Sequence, residues 1–419
     1  MPEIKKGIFI ISCLLEPPFG GISKYLSFSL PKIANETPIY GITQRGYENF
    51  GNKEVDLPHF KTKLIKSNLL AVVLFPFMVI KHLGFVNQLL FKYNLPFLEV
   101  MKLIYFWFPE VDNYLKKVKD TIKYIHVYNR PYDHGAIGMY LSKRYNIPLL
   151  LTTFGELVPH KDEIERIDDY STRFNKITAD VLTHATKISS PTKYCQSIID
   201  EFKIDTAKIH LTYHVCDIDK FNKNENNFQT ILEKHPQLKG KRCVLFVGQM
   251  LRRKAPDLII KAAQNIKNLD KNIMFIFVGP DFGFYNELKT IAKDANLENQ
   301  CLFPGAVSES DLFEFYSLAD IFIFTTISKI ECLGLVFVQA MLSNCAVIAS
   351  NISGVPEVIT NGENGLLFEP GNIKELQNHL ENLLHDDDLK DKLKKSGKET
   401  VMQQFDEQIV LQQIKDFYK

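Results

Sequence analysis

Residues 243–279 read CVLFVGQMLRRKAPDLIIKAAQNIKNLDKNIMFIFVG. Two short, unbroken apolar runs, CVLFVG (243–248) and IMFIFVG (273–279), flank a stretch (256–268) whose apolar residues recur at helical spacing. An apolar run without polar alternation is a strand covered on both faces, and a helix between two such strands makes their pairing parallel. The alternation continues through a helix over 285–297, CLFPG (301–305), a helix over 311–319, IFIFTT (321–326), a helix over 334–343, CAVIAS (345–350), GLLF (365–368) and a helix over 373–385. The first half repeats the grammar with GIFIIS (7–12), a helix after GGIS, PIYGIT (38–43), YIHVY (124–128), PLLLTTF (148–154), KISSP (187–191) and IHLTY (209–213). The expectation is an α/β fold of two doubly wound domains, 1–215 and 216–403, with the polar stretch 220–241 as linker. Tandem domains of this kind create a cleft beside their sheet edges, where ligands of α/β proteins bind.

At 419 residues, 45% apolar and 24% charged, the chain can bury two full cores. The net charge of +1 hides an asymmetry: residues 1–215 carry 27 Lys/Arg against 21 Asp/Glu, and residues 216–419 carry 23 against 28. Halves of +6 and −5 argue against a nucleic-acid binder with one dominant basic face. The seven cysteines are scattered and show neither CxxC nor Cys/His ligand spacing, which points to a reduced, cytoplasmic compartment and no zinc site. The start MPEIKKGIFIISCLL is followed by EPPFGG where a secretory signal would have a small-residue cleavage site, so it reads as a first buried strand. The strongest apolar run, 69–80, contains Pro76 and falls short of the roughly 20 residues that span a bilayer.

Two strand-to-helix junctions carry chemistry. FVGQMLRRKAPDLIIKAA (246–263) places a turn at Gly248 and three cations ahead of a helix, the fixed positive charge that a nucleoside diphosphate needs in the absence of a metal. ECLGLVFVQAMLSN (331–344) sets the Glu331 carboxylate beside the free N–H groups and positive end of a helix beginning at Gly334, Leu335 and Val336. Taken singly, the first has the alternative reading of a solvated basic loop, and the second is more simply a solvent-facing glutamate at a helix N-terminus. In the first half, PPFGGISKYL (17–26), with the small residues Gly20 and Gly21, reads in isolation as a strand-to-helix turn. Residues 60–108 are rich in Leu, Phe, Ile and Val with interspersed lysines, and read either as helices covering the first sheet or as a peripheral membrane contact.

The second half as an ordered series resembles the successive signatures of retaining family 4 glycosyltransferases (glycosyltransferase group 1). The series includes FVGQMLRRKAPD, ECLGLVFVQ, the Gly354-Val355-Pro356-Glu357 turn and the loop from Asn361-Gly362 to Gly371. The resemblance implies the GT-B fold, two Rossmann-like doubly wound domains facing across a cleft, with the final residues 404–419 crossing back onto the first. It implies retaining, metal-independent transfer of a sugar from a nucleoside diphosphate sugar donor, without a cofactor, to the hydroxyl of a glycan or lipid-linked glycan. Residue by residue, Lys254 with Arg253 falls on the diphosphate-holding position and Glu331 on the residue that orients the donor sugar. Asp257 matches the helix-start acid. Donor binding then extends over Gly20, Gly21, Gly248, Gln249, Gly334, Leu335, Val336 and Gln339. Gln249 stands where relatives have an arginine, which Arg252 or Arg253 could supply, and Gln339 replaces a second Glu that grips the ribose. On the acceptor side, IHVYNRPYDHGAIGMYLSKRYNIPLLLTTFGE (125–156) puts Phe154 at the usual catalytic-site His, Glu156 at a matching Glu, and His126 and His134 near them in sequence. TYHVCDIDKF (212–221) departs from the relatives' Pro-Asn-Gly-Val-Asp, and Asp217 and Asp219 read as structural rather than metal-binding. These departures leave open a catalytically degenerate module that binds a nucleotide sugar without turnover, and, less well matched by motif order, a sugar-nucleotide epimerase.

Overall fold

The computed structural model describes residues 6–12, 26, 29–43, 79–106, 108–159, 161, 168–213, 218 and 228–419. The chain divides into two compact units, Met1–Val215 with Leu411–Lys419, and Cys216–Val410.

The first unit is built on a six-stranded parallel sheet of β1 (Gly7–Ser12), β2 (Ile39–Thr43), β3 (Ile122–Tyr128), β4 (Leu149–Thr152), β5 (Lys187–Ser190) and β6 (Ile209–Leu211), in the order β2-β1-β3-β4-β5-β6. Every residue of β1 and β4 is buried, as unbroken apolar strands under helices on both faces must be. The helices Phe108–Val118, Ala136–Tyr145 and Asn175–His184 place Val111, Leu115, Ile137, Leu141, Ile177 and Val181 in this core. The last helix, Glu407–Tyr418, supplies Tyr418, whose hydroxyl lies 2.7 Å from His126 Nδ1 and 3.0 Å from the Tyr128 hydroxyl. The returning segment begins at Leu411, later than the 404–419 expected from sequence.

The second unit repeats the architecture with β7 (Arg242–Val247), β8 (Ile273–Val278), β9 (Cys301–Gly305), β10 (Ile321–Phe324), β11 (Ala346–Ser350) and β12 (Leu366–Phe368), ordered β12-β11-β10-β7-β8-β9. Strands add outward from β7 on one side through β8 and β9, then on the other through β10, so the order reverses between β7 and β10. In open α/β sheets ligands bind in the crevice past the carboxyl ends of the strands at such a reversal. The loops leaving β7 and β10 there carry Gln249–Lys254 and Thr325–Glu331.

Two expectations are corrected. The supposed linker is structured from residue 228 onward: Gln229–Lys234 is helical, Ile231 and Leu238 are buried, and the Ile231 amide donates to the Glu314 carboxylate at 2.9 Å. Two or three apolar anchors in a short polar stretch are too few to give a period, which is why the helix was not visible in the sequence. The thiols are not uniformly reduced either, since Cys195 and Cys332 are disulfide-bonded whereas Cys243, Cys301 and Cys345 are free. The helix expected after GGIS is present over residues 29–34, whereas Gly20, Gly21, residues 60–78, Trp107, Asp217 and Asp219 lie outside the described residues.

Candidate functional site

After β7 the chain turns at Gly248, whose N–H donates to the Val278 carbonyl at 3.0 Å. The neighbouring strand passes so close that a Cβ on Gly279 would lie 1.8 Å from the Gly248 carbonyl oxygen, so only glycine fits there. Arg252–Lys254 then form one 3-10 turn, closed by Ala255 in the left-handed region at φ +47°. The loop leaving β10 pins this turn from its backbone side. Thr325 Oγ1 donates to the Lys254 carbonyl at 2.7 Å, Thr326 Oγ1 to the Arg253 carbonyl at 3.2 Å, and the Ile327 amide to the same carbonyl at 3.0 Å. Both threonines are buried, so these bonds exchange little with water. With its carbonyls held, the turn has its side chains directed by the backbone rather than by chance.

Those side chains meet Glu331. Lys254 Nζ donates to Glu331 Oε2, and Arg253 Nη1 lies 3.6 Å from the same oxygen. The three side chains are about one-fifth exposed or less, at 14%, 22% and 19% for Lys254, Arg253 and Glu331. Burial pushes the Glu331 carboxyl up, but the Lys254 ammonium and then Arg253 pull it further down, so it sits below the usual carboxylate range and is ionised. The two arginines separate cleanly. Arg252 pairs at 2.5 Å with Glu287 on the helix Tyr285–Asp294, whereas Arg253 Nη2 donates to Gln249 Oε1 at 3.3 Å. Arg253 is therefore the guanidinium beside position 249.

Glu331 leads through Cys332 and Leu333 into Gly334, the N-cap of the helix Leu335–Leu342. Gly334 has φ +29°, and a Cβ there would lie 2.5 Å from the Phe324 ring. Gly334→Ala is expected to destabilise the second unit by about 2–4 kcal/mol through combined strain and overpacking. Denaturant unfolding reads this directly, and an unshifted midpoint would mean that the Phe324 ring gives way. The helix leaves its first N–H groups without intrahelical acceptors at its positive end. Leu335, Val336 and Gln339 are half-buried along it, and Gln339 Oε1 accepts from the Tyr316 hydroxyl at 3.3 Å. Asp257 begins the helix Asp257–Gln264, paired at 2.6 Å with Lys261.

In the first unit the residues expected on an acceptor side separate. His126 is buried inside the sheet with Nε2 2.8 Å from Thr152 Oγ1 and Nδ1 on Tyr418, and burial lowers its pKa to about 3. It is a neutral structural residue whose two ring nitrogens are both engaged. Phe154 is buried beyond β4. Glu156, two residues on, is half-buried and accepts from the Tyr132 hydroxyl at 2.6 Å and from Asn129 Nδ2 at 3.3 Å. Asn129 and Arg130, at the carboxyl end of β3, are both left-handed, with φ of +61° and +50°. This backbone kink sends Arg130 Nε to the Tyr132 hydroxyl at 3.0 Å and Arg130 Nη2 to Asp133 at 2.7 Å. Asn129 Oδ1 is buried and has no hydrogen-bond partner among the described residues. Sequence reasoning missed Asn129, Arg130 and Tyr132; the one available signal was the Tyr-Asn-Arg-Pro run after an apolar strand, which reads as an ordinary turn. Among the described residues no three His, Cys, Asp or Glu side chains cluster as a metal site.

Residues 227–400 match the family described as Glycosyl transferases group 1. Spore coat protein SA of Bacillus subtilis (strain 168) is 25% identical over 234 residues, 54% of this chain and 62% of its own. The capsular polysaccharide biosynthesis glycosyltransferase CapM of Staphylococcus aureus is 26% identical over 208 residues, 48% of this chain and 51% of its own. The chain thus spans about half to three-fifths of the length of these curated relatives. Among solved structures, Anabaena Alr3699/HepE in complex with UDP and glucose superposes with a TM-score of 0.72 at 15% identity, covering 98% of both chains. Sucrose-phosphate synthase from Thermosynechococcus elongatus gives 0.75 at 18%, covering 99% of this chain and 98% of its own. At such identities the likeness concerns the fold, two parallel six-stranded α/β units of the GT-B kind. The match to the group 1 glycosyl transferases thus falls within the second unit, and the fold of the chain is that of GT-B proteins.

Proposed function

We propose that the protein is a hexosyltransferase that moves a sugar from a nucleoside diphosphate sugar to an acceptor hydroxyl, with retention at the anomeric carbon and without a metal. The observation that carries this reading is the meeting of Lys254, Arg253 and Glu331 in front of a helix N-terminus at the sheet's reversal point. Lys254 and Arg253 take the diphosphate, with the N–H groups of Gly334, Leu335 and Val336 adding dipoles aimed at the same anion. The Gly248–Gln249 turn borders it, and Gln339 accepts from and donates to the ribose hydroxyls. Glu331, released from its cations by the incoming phosphates, accepts hydrogen bonds from the donor sugar. As the anomeric C–O bond to phosphate breaks, negative charge grows on the leaving oxygen, and the fixed cations and dipoles stabilise it without reorganising. The acceptor oxygen bonds to the anomeric carbon from the face the phosphate leaves, and its proton passes to the departing phosphate oxygen. No protein base is required, which suits a site where Phe154 stands at the relatives' histidine position.

The acceptor side is assigned to the first unit, with Glu156 held by Tyr132 and Asn129 as its polar feature. A glycan or lipid-linked glycan is the proposed acceptor, in keeping with the capsular polysaccharide function in the name of CapM. A peripheral membrane contact through residues 60–108, in the cytoplasm, belongs to the same reading. The HepE complex makes UDP-glucose the first donor to try.

The test is incubation of the purified chain with UDP-glucose, GDP-mannose and ADP-glucose, with and without a chelator, following nucleoside diphosphate release and the fate of the donor. Donor-dependent release that survives chelation, with the α-anomeric configuration kept in the product, supports the reading. Tight binding without release would make the protein a nucleotide-sugar-binding module, for which Gln249, Phe154 and Gln339 speak. An isomerised donor would make it an epimerase.

A further inference from the structure

The second unit holds a cavity of about 370 Å³ at the end of its sheet opposite Lys254 and Glu331. Asp320, on the cavity wall, immediately precedes β10 and Thr325 follows it, so the two ends lie roughly 16 Å apart along that strand. The cavity has two chemically different flanks because they come from different parts of the chain. The stretch leading into β7 supplies Phe228, the N-cap of the helix Gln229–Lys234, with Leu232 from that helix and the fully buried Leu238. The turns leading into β10 and β11 supply Asp320, Ser343 and Asn344, and the helix Asp387–Gln404 adds Lys394. In the order β11-β10-β7 the apolar set belongs to one flank and the polar set to the other.

The polar flank is short of partners. Lys394 Nζ lies 3.4 Å from Asp320 Oδ1, longer than the roughly 2.7–2.9 Å of a well-made ammonium–carboxylate bond. The two side chains are 16% and 35% exposed, and neither charged group has another hydrogen-bond partner among the described residues. Two N–H groups of the ammonium and Asp320 Oδ2 are therefore left over. Largely buried charges that are incompletely hydrogen-bonded carry a desolvation cost that a ligand of matching chemistry relieves.

We infer that this cavity binds a neutral sugar residue, with the pyranose face on Phe228 and two neighbouring hydroxyls bridging Lys394 and Asp320. A hydroxyl both donates and accepts, so a vicinal pair meets an ammonium and a carboxylate together. A simple anion is repelled by Asp320 and a simple cation by Lys394. A zwitterionic amino acid satisfies both charges but brings no further hydroxyls to Ser343 and Asn344. The C–H face of the ring covers Phe228 and the leucines, which gives the mixture of apolar wall and few converging polar groups typical of small-molecule sites. Binding here needs neither donor nor turnover, so it stands or falls apart from the proposed reaction.

The test is saturation-transfer difference NMR of the full chain with the methyl glycosides of glucose, galactose, mannose and N-acetylglucosamine, with and without excess UDP. At least one glycoside is expected to bind in the millimolar range, and UDP should leave it in place. Phe228→Ala should weaken binding roughly tenfold, and Lys394→Met about tenfold or more. Asp320→Asn keeps the shape and one acceptor but loses the charge, and should weaken it about fivefold. Phe282→Ser, exposed on the loop after β8, should change nothing. Melting temperatures show which variants fold, and the isosteric Asp320→Asn keeps the test decisive where Phe228→Ala does not fold. Absence of binding by all four glycosides, displacement by UDP, unaltered affinity in the folded variants, or binding of leucine in place of the glycosides would each overturn the inference.

Discussion

Lys254→Met is expected to slow donor-dependent release of nucleoside diphosphate by about 10²–10³-fold, the usual loss when one fixed group that stabilises transition-state charge is removed. The effect should fall mainly on kcat, because the leaving oxygen acquires its charge only as the glycosidic bond breaks; a pure rise in KM would mean that Lys254 serves ground-state binding alone. The variant should still fold. Arg253 remains 3.6 Å from the Glu331 carboxylate, so that carboxylate is not left as a lone buried charge. A thermal-shift comparison with and without UDP separates the two kinds of damage: an unliganded melting temperature near the original with a lost UDP shift belongs to the site. Lys254→Arg keeps the charge and should recover part of the rate. Full activity in the methionine variant would remove the basis of the proposed mechanism.

Acidification below pH 6.5 is expected to destabilise the first unit on balance. Burial lowers the His126 pKa from 6.5 to about 3 and, partly opposed by Asp112, that of His82 to about 4. In the unfolded chain both would take a proton near 6.5, so the folded state binds fewer protons than the unfolded one between that pH and the lowered values. Their contribution is therefore complete above 6.5 and is lost as pH falls through the window from 6.5 towards 3. At pH 5 each histidine should have cost about 2 kcal/mol. Asp133 works in the opposite direction. Burial raises its pKa from 3.8 to about 6 against the pull of Arg130, so it adds stability as pH falls from 6 to 3.8, by about 1–3 kcal/mol after allowing for its partial exposure. Urea unfolding at pH 7 and pH 5 should show a net loss of a few kcal/mol, and His126→Gln should shrink the difference by about 2 kcal/mol. An unchanged pH difference in that variant would assign the acid sensitivity elsewhere.

Most strands of both sheets were legible as short apolar runs bounded by turn residues, too short for a buried helix of ordinary length. GIFIIS and IMFIFV became β1 and β8 with every residue buried. The pairing of Lys254 with Glu331 was less legible. The sequence placed both at strand-to-helix junctions but gave no sign that each would hold the other's charge, a matter of side-chain reach across 77 positions. Nor could it choose between Arg252 and Arg253, since the direction of each is set by the 3-10 turn and its left-handed Ala255. On the acceptor side, His126 and His134 lie close to the motif in sequence, yet β3 buries His126 inside the sheet, while Glu156 acquires its partners from a kinked turn that no period announces. The apolar 79–106 segment was visible as composition; only exposure along the helix showed that its solvent side is greasy as well.

The self-neutralised state of Lys254 and Glu331 bears on how a catalytic cycle would end. In the proposed cycle, the donor sugar's hydroxyls would occupy the carboxylate and leave the ammonium to the phosphates. With the sugar gone, that carboxylate would regain its appetite for the ammonium and compete with the spent nucleotide for it. The domain would then carry its own eviction mechanism, favouring the intact donor over the by-product that otherwise accumulates and blocks turnover.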